Sequence, residues 1–233
     1  MKVGILKTDQ VREEWVPRFG EYPDMFIRLL GDRASDLEFV VYDVMQGEYP
    51  ADLDEVDAYL ITGSKFSVYE DLPWIHALLE FIRRLYAHGK KIVGICFGHQ
   101  AIAQALGGKT EKADAGWGVG IHHHRFTERP AWFDDGELSF PVLVSHQDQV
   151  TVNAEGARTL AGSEFCPNAV CQIGDQVLTL QGHPEFVPAY SLEIMDFRRD
   201  RIGEDRYASG TASLAEAPAT DRMANWIISF LRG

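Results

Sequence analysis

The chain has 233 residues, 45% of them hydrophobic, which is enough to bury one large core. No apolar run approaches the ~18 residues that a membrane-spanning helix needs. Its 22 basic and 35 acidic residues leave a formal charge of −13, which argues against nucleic acid or an anionic membrane as a partner.

Residues 1–9 turn polar too early for a signal peptide, and three cysteines, Cys96, Cys166 and Cys171, cannot all pair. A reducing, cytoplasmic compartment is therefore expected. With no second Cys/His pair at zinc spacing, Cys166 and Cys171 read as ordinary residues and no metal site is expected. The first strand spans residues 3–6, and 8–21 read as a loop or the approach to a helix. Met25, Phe26, Leu29 and Leu30 recur at helical spacing over residues 22–30, with Gly31 as the stop. Further strands are expected at 37–43 and 58–62, and a strongly amphipathic helix over 74–88 with Gly89 as its stop. Ile92, Val93 and Ile95 read as a strand buried on both faces. Ala101, Ile102, Ala105 and Leu106 then form a helix stopped by Gly107-Gly108.

Strands alternating with helices predict an α/β fold, a three-layer sandwich around a mostly parallel sheet, with its functional loops at the carboxyl ends of the strands. Beyond Gly108, residues 116–126, 142–144 and 160–177 read as antiparallel strands that extend the sheet. His122, His123 and His124 lie on one of them and have no carboxylate or cysteine at ligand spacing, so they read as a solvated or half-buried strand. A helix is expected over 190–201, a Gly/Ala/Ser/Glu-rich mobile loop over 203–218, and a C-terminal helix over 219–232 capped by Thr220 or Asp221. No repeat or linker divides the chain before about residue 205, so residues 1–233 read as one domain.

Gly94-Ile-Cys-Phe-Gly98 sits where the strand turns into the helix. Such a corner forces a strained backbone on its central residue, and flanking glycines leave room for it. That residue is Cys96, whose sulfur would stand at a helix N-terminus, where partial positive charge favours an anion. The Phe97 N–H would point at an oxyanion formed by attack from the sulfur. Gln100, one helical turn on, would face the same space and bond a substrate's polar end. A nucleophilic cysteine needs a base, and the apolar run 177–180 leads to His183 with Glu185 two residues on. In an extended chain these two share a face, so the carboxylate could hold the imidazole in one tautomer. His146 is the rival base, but only His183 has an acid at that spacing.

Together the two pieces resemble the class I, or triad, glutamine amidotransferases. The Gly-x-Cys-x-Gly-x-Gln motif is matched by Gly94, Cys96, Gly98 and Gln100, and the His-Pro-Glu motif by His183, Pro184 and Glu185. The resemblance covers nearly the whole chain and implies a flavodoxin-like arrangement. It also implies a second oxyanion donor at Gly63 or Ser64, where this chain has Thr-Gly-Ser in place of the common Gly-Gly-Pro. Phe66, Ser67, Val68 and Tyr69 would then form the pocket rim. By the same resemblance the turn Ser145-His146-Gln147-Asp148 holds the α-groups of glutamine, with Ser145, His146 and Gln147 as substrate contacts.

The implied reaction forms a γ-glutamyl thioester on Cys96 and needs no metal or organic cofactor. The substrate would be glutamine or another γ-glutamyl compound. The residues after Glu185 are too few for a fused synthetase domain, so ammonia released from glutamine would go to a separate synthetase subunit. A free-standing γ-glutamyl peptidase is the alternative. A non-catalytic binding or regulatory protein is the reading that the intact Cys-His-Glu set speaks against.

Overall fold

The computed structural model describes residues 1–133 and 136–233. The first half alternates as expected: β1 (Lys2–Lys7), the short α1 (Val16–Phe19), α2 (Tyr22–Gly31), β2 (Glu38–Asp43), β3 (Ala58–Ile61), α3 (Pro73–Ala87), β4 (Lys91–Ile95) and α4 (Phe97–Ala105). The second half adds β5 (Lys109–Lys112), β6 (Gly118–Phe126), β7 (Ser139–His146), β8 (Asp148–Val152), β9 (Ala157–Gly162), β10 (Val170–Ile173) and β11 (Val177–Leu180). Four helices close the chain: α5 (Pro188–Phe197), α6 (Arg199–Ile202), α7 (Glu204–Ser213) and α8 (Thr220–Arg232).

Among the described residues, nine strands form one sheet in the order β2-β1-β3-β4-β11-β10-β9-β6-β7, and β5 pairs with β8 apart from it. The run from β2 to β11 is parallel, and the remainder is antiparallel. Strand alternation sends Val3, Ile5, Leu60, Val93 and Leu178 to one face, where Phe26 and Leu30 of α2 and Trp226, Ile227 and Phe230 of α8 cover them. Leu6, Tyr59, Ile61, Ile92 and Val177 face the other side, beneath Leu78 and Ile82 of α3 and Ile102 of α4. The result is the expected three-layer α/β sandwich with an antiparallel extension.

Residues 203–218 differ from the expected mobile loop, because most of the segment is helix α7. Its composition gives it little intrinsic drive, but tertiary contacts hold it. The Ser213 hydroxyl accepts the Ile121 N–H at 2.8 Å, and Arg206 donates to the Ala115 and Trp117 carbonyls. A methyl group at Gly210 would come within 2.8 Å of Val119 and 3.0 Å of Met195, so the helix needs glycine to lie this close to β6 and α5. Neither Thr220 nor Asp221 caps α8. Ala219 occupies the cap, and Asp221 instead pairs with Arg33.

Candidate active site

The chain passes from β1 to β2 on one side and from β2 to β3 across β1, so the direction of winding switches between β1 and β3. In open α/β sheets a crevice forms at the carboxyl ends of strands at such a switch. The segments that leave β1, β3, β4 and β11 there carry Thr8-Asp9, Thr62-Gly63-Ser64, Cys96 and His183.

Cys96 has φ +51° and ψ −99°, and among the described residues it is the one non-glycine with positive φ. Gly94 and Gly98 are required by close packing around that corner. A methyl group at Gly98 would lie 2.4 Å from the Ile61 carbonyl oxygen, and one at Gly94 would lie 2.6 Å from the Gly98 carbonyl oxygen. Phe97 opens α4, so its N–H has no carbonyl one turn back within the helix. The Gly98 N–H is spent on the Thr62 carbonyl at 3.2 Å.

Gly63 is where the pieces meet. A methyl group there would strike His183 Cε1 at 2.8 Å and touch Cys96 Cβ at 3.6 Å. The loop is tied to the end of β1: the Thr8 hydroxyl donates to the Gly63 carbonyl at 2.9 Å, and Ser64 Oγ donates to the Thr8 carbonyl at 2.9 Å. Buried Asp9 holds the next residue, accepting the Lys65 N–H at 2.8 Å and pairing with Lys65 Nζ at 2.9 Å.

His183 Nδ1 faces Glu185 Oε1 at 2.8 Å, and both side chains are buried. The His183 N–H donates to the Leu143 carbonyl at 2.8 Å, anchoring the segment to β7. Burial alone would lower the imidazole's pKa, but Glu185 and then Cys96 overcome it and hold the ring's proton up to about 10. His146 behaves in the opposite way. Burial lowers it to about 3 against the pull of its one bond, in which Nδ1 donates to the Asp148 carbonyl at 3.0 Å. Neutral His146 braces the turn, so the geometry of a base belongs to His183.

Ser145, His146 and Gln147 line the same cleft as Cys96, Gln100 and Ser64, with a volume of about 300 Å³. Gln100 Nε2 bonds the Asp148 carbonyl at 2.9 Å and Gln181 Oε1 at 3.1 Å, so its amide N–H groups support the turn. Phe66 and Ser67 reach the rim, and Tyr69 is exposed with its hydroxyl on Asp148, but Val68 is buried in the core and is no rim residue. Burial raises the Cys166 and Cys171 thiols to about 12 and about 11, which suits ordinary packed residues. His122 packs against Phe165, His124 against Phe140, and His123 turns outward to Glu216.

Sequence reading missed Trp117, Phe197, Arg198 and Arg201, which also line the cleft. Residues 190–201 read as one helix, whereas the helix breaks at Arg198, between α5 and α6, and the break turns Arg198 inward. Nothing in the periodicity marks that break.

The family profile described as "Glutamine amidotransferase class-I" matches residues 20–194. The chain belongs to this family. It is thus an enzyme of amidotransferase or hydrolase type, on the fold the motifs implied. It is 32% identical over 214 residues to γ-glutamyl peptidase 3 of Arabidopsis thaliana, covering 88% of this chain and 85% of that one. It is 31% identical to a glutamine amidotransferase-like protein of Schizosaccharomyces pombe, covering 98% of each. The structure of a Thermotoga maritima glutamine amidotransferase superposes with a TM-score of 0.75 at 19% identity, over 99% of this chain and 96% of that one, which shows the shared fold.

Proposed function

We propose that this protein is a cysteine-dependent hydrolase of γ-glutamyl amides. The observation that carries the reading is the convergence of Cys96 and His183 on Gly63 at the carboxyl end of the sheet, with Glu185 on His183 Nδ1. The Cys96 sulfur attacks the γ-carbonyl carbon, forming a carbon–sulfur bond. The N–H groups of Phe97 and of Gly63 or Ser64 receive the oxyanion, each lowering the barrier by roughly 3–4 kcal/mol. Imidazolium His183 then gives its proton to the departing nitrogen as the C–N bond breaks. Neutral His183 next takes a proton from water, whose oxygen attacks the thioester. The glutamate product leaves and sulfur and imidazolium are restored. Glu185 keeps Nδ1 protonated throughout. Ser145, His146 and Gln147 form the turn that receives the α-amino and α-carboxylate groups, and Gln100 holds that turn in place.

Similarity over most of both chains to a protein named γ-glutamyl peptidase supports water as the natural acceptor. Family membership itself supports a second reading, in which glutamine is the substrate and a separate synthetase subunit takes the ammonia. Three buried, unpaired cysteines fit a reducing, cytoplasmic setting for either. Ammonia and glutamate release from glutamine and from a panel of γ-glutamyl amides tests the proposal, run with wild type and Cys96→Ala. Turnover of γ-glutamyl peptides by the protein alone supports the first reading. Glutamine turnover that appears only with an added synthetase supports the second, and turnover retained by Cys96→Ala refutes both.

A further inference from the structure

Arg198, Arg199 and Arg201 lie within four residues at the junction of α5 and α6, and only two of them line the Cys96 cleft. Arg199 is bound by the Glu204 carboxylate. The two that line the cleft are treated differently. Arg198 gives one N–H to Ser145 Oγ at 3.1 Å and lies over the Trp117 ring at 5.5 Å, with no carboxylate partner among the described residues. Among the described residues the Arg201 guanidinium has no hydrogen-bond or ion-pair partner, and it is exposed. Two uncompensated guanidinium groups at one mouth stand out in a chain of net charge −13.

The other charges at the cleft are accounted for. Lys65 is neutralised by Asp9 at 2.9 Å. Asp148 accepts from the hydroxyls of Ser67 at 2.5 Å and Tyr69 at 3.0 Å and has no cationic partner among the described residues. Apart from the Cys96–His183–Glu185 set, the cleft among the described residues therefore offers two cations and one anion. Glutamine carries one carboxylate and one ammonium and would leave a guanidinium unmatched. A γ-glutamyl amino acid or peptide carries two carboxylates and one ammonium, the exact complement.

We propose that Arg198 and Arg201 make this mouth a receptor for two carboxylates, so the preferred substrate is a γ-glutamyl amino acid or peptide whose departing amine bears its own carboxylate. Arg198, bonded to the Ser145 turn, takes the carboxylate of the glutamyl part. Arg201, the more exposed of the two, takes the carboxylate of the leaving amine. This inference rests on the γ-glutamyl hydrolase reading above. Arg201 is a specificity-determining residue, not a catalytic one.

The test compares kcat/KM for γ-glutamylglycine and γ-glutamylglycinamide, which differ only in the outer carboxylate. One charge-assisted pair at a partly wet site corresponds to roughly a tenfold preference for the acid. That preference should shrink as salt is added, fall to near unity in Arg201→Gln and invert in Arg201→Glu. Because Arg201 is exposed, these variants should fold, and circular dichroism checks that they do. Equal kcat/KM for the two amides in the wild type, or an unchanged preference in Arg201→Glu, overturns this inference and leaves the hydrolase reading standing. Failure to turn over either amide overturns both.

Discussion

The His183 imidazole lies flat on the Phe186 ring, with centroids 3.9 Å apart and planes 7° apart. Glu185 fixes the edge of the imidazole and Phe186 fixes its plane, so the ring has one orientation toward Cys96. Tyr190 packs edge-to-face with Phe186 at 4.8 Å and is itself buried. Phe186→Leu keeps the site apolar but removes the flat surface. Its kcat should fall by about tenfold or more with KM little changed, because a mispositioned base acts mainly on the chemical step. A steady-state comparison checks this, and an unchanged kcat would show that the stack is only packing.

Gly63 and Gly98 separate activity from folding. Gly63→Ala drives a methyl into His183 Cε1 at 2.8 Å, an atom of the ring that Glu185 and Phe186 hold in place. Activity should then drop by at least about tenfold, with a smaller loss of stability than a clash with backbone causes. Gly98→Ala meets the Ile61 carbonyl at 2.4 Å, a backbone atom in the middle of the sheet. That variant should lose on the order of 1–3 kcal/mol of stability as well as activity. Thermal melts beside rate measurements separate the two.

These glycines also show what the sequence could convey. The Gly-x-Cys-x-Gly spacing announced a corner at Cys96, and the structure has the strained φ there together with the close approach of Ile61 to Gly98. The parallel half of the sheet was legible because each of its strands is a short apolar run between glycines or polar turns. Helix α7 was not, since an Ala/Ser/Gly/Glu stretch has the same composition whether it is loose or pinned by Arg206 and Ser213. Val68 shares a run with Phe66 and Ser67, which reach the cleft, and with exposed Tyr69, and only the packed structure puts it in the core. Arg198 and Arg201 were invisible for a related reason, because a helix break decides which arginine of the run turns inward.

Stability should fall on the alkaline side because of His183. Its folded pKa is raised from the ordinary 6.5 to about 10, so the folded state binds the extra proton between those values. The stabilisation is complete below pH 6.5 and is lost as pH rises toward about 10, at up to about 1.4 kcal/mol per pH unit. Glu185→Gln removes the main group that raises the ring, so its urea midpoint should decline less between neutral and alkaline pH than the wild-type value. The same variant should lose most turnover, as the tautomer is no longer enforced.

The acid side carries the opposite sign. Burial lowers His99 and His146 to about 3 and His124 to about 4, so stability is present above the ordinary 6.5 and is lost as pH falls through the lowered values. His124 is the most costly of these, since both ring nitrogens are buried beside Phe140 without a partner among the described residues. His124→Leu should raise the melting temperature at neutral pH by the equivalent of about 1–3 kcal/mol and flatten the acid limb. Melts at pH 7 and near pH 5 test both effects.

The most direct test of the mechanism is to quench the protein during turnover of a γ-glutamyl amide and find the acyl group by peptide mass spectrometry. A glutamyl thioester on the peptide containing Cys96, absent from Cys96→Ser, is the expected result. An adduct on Cys166 or Cys171, or undiminished hydrolysis by Cys96→Ala, would contradict the assignment of Cys96 as nucleophile.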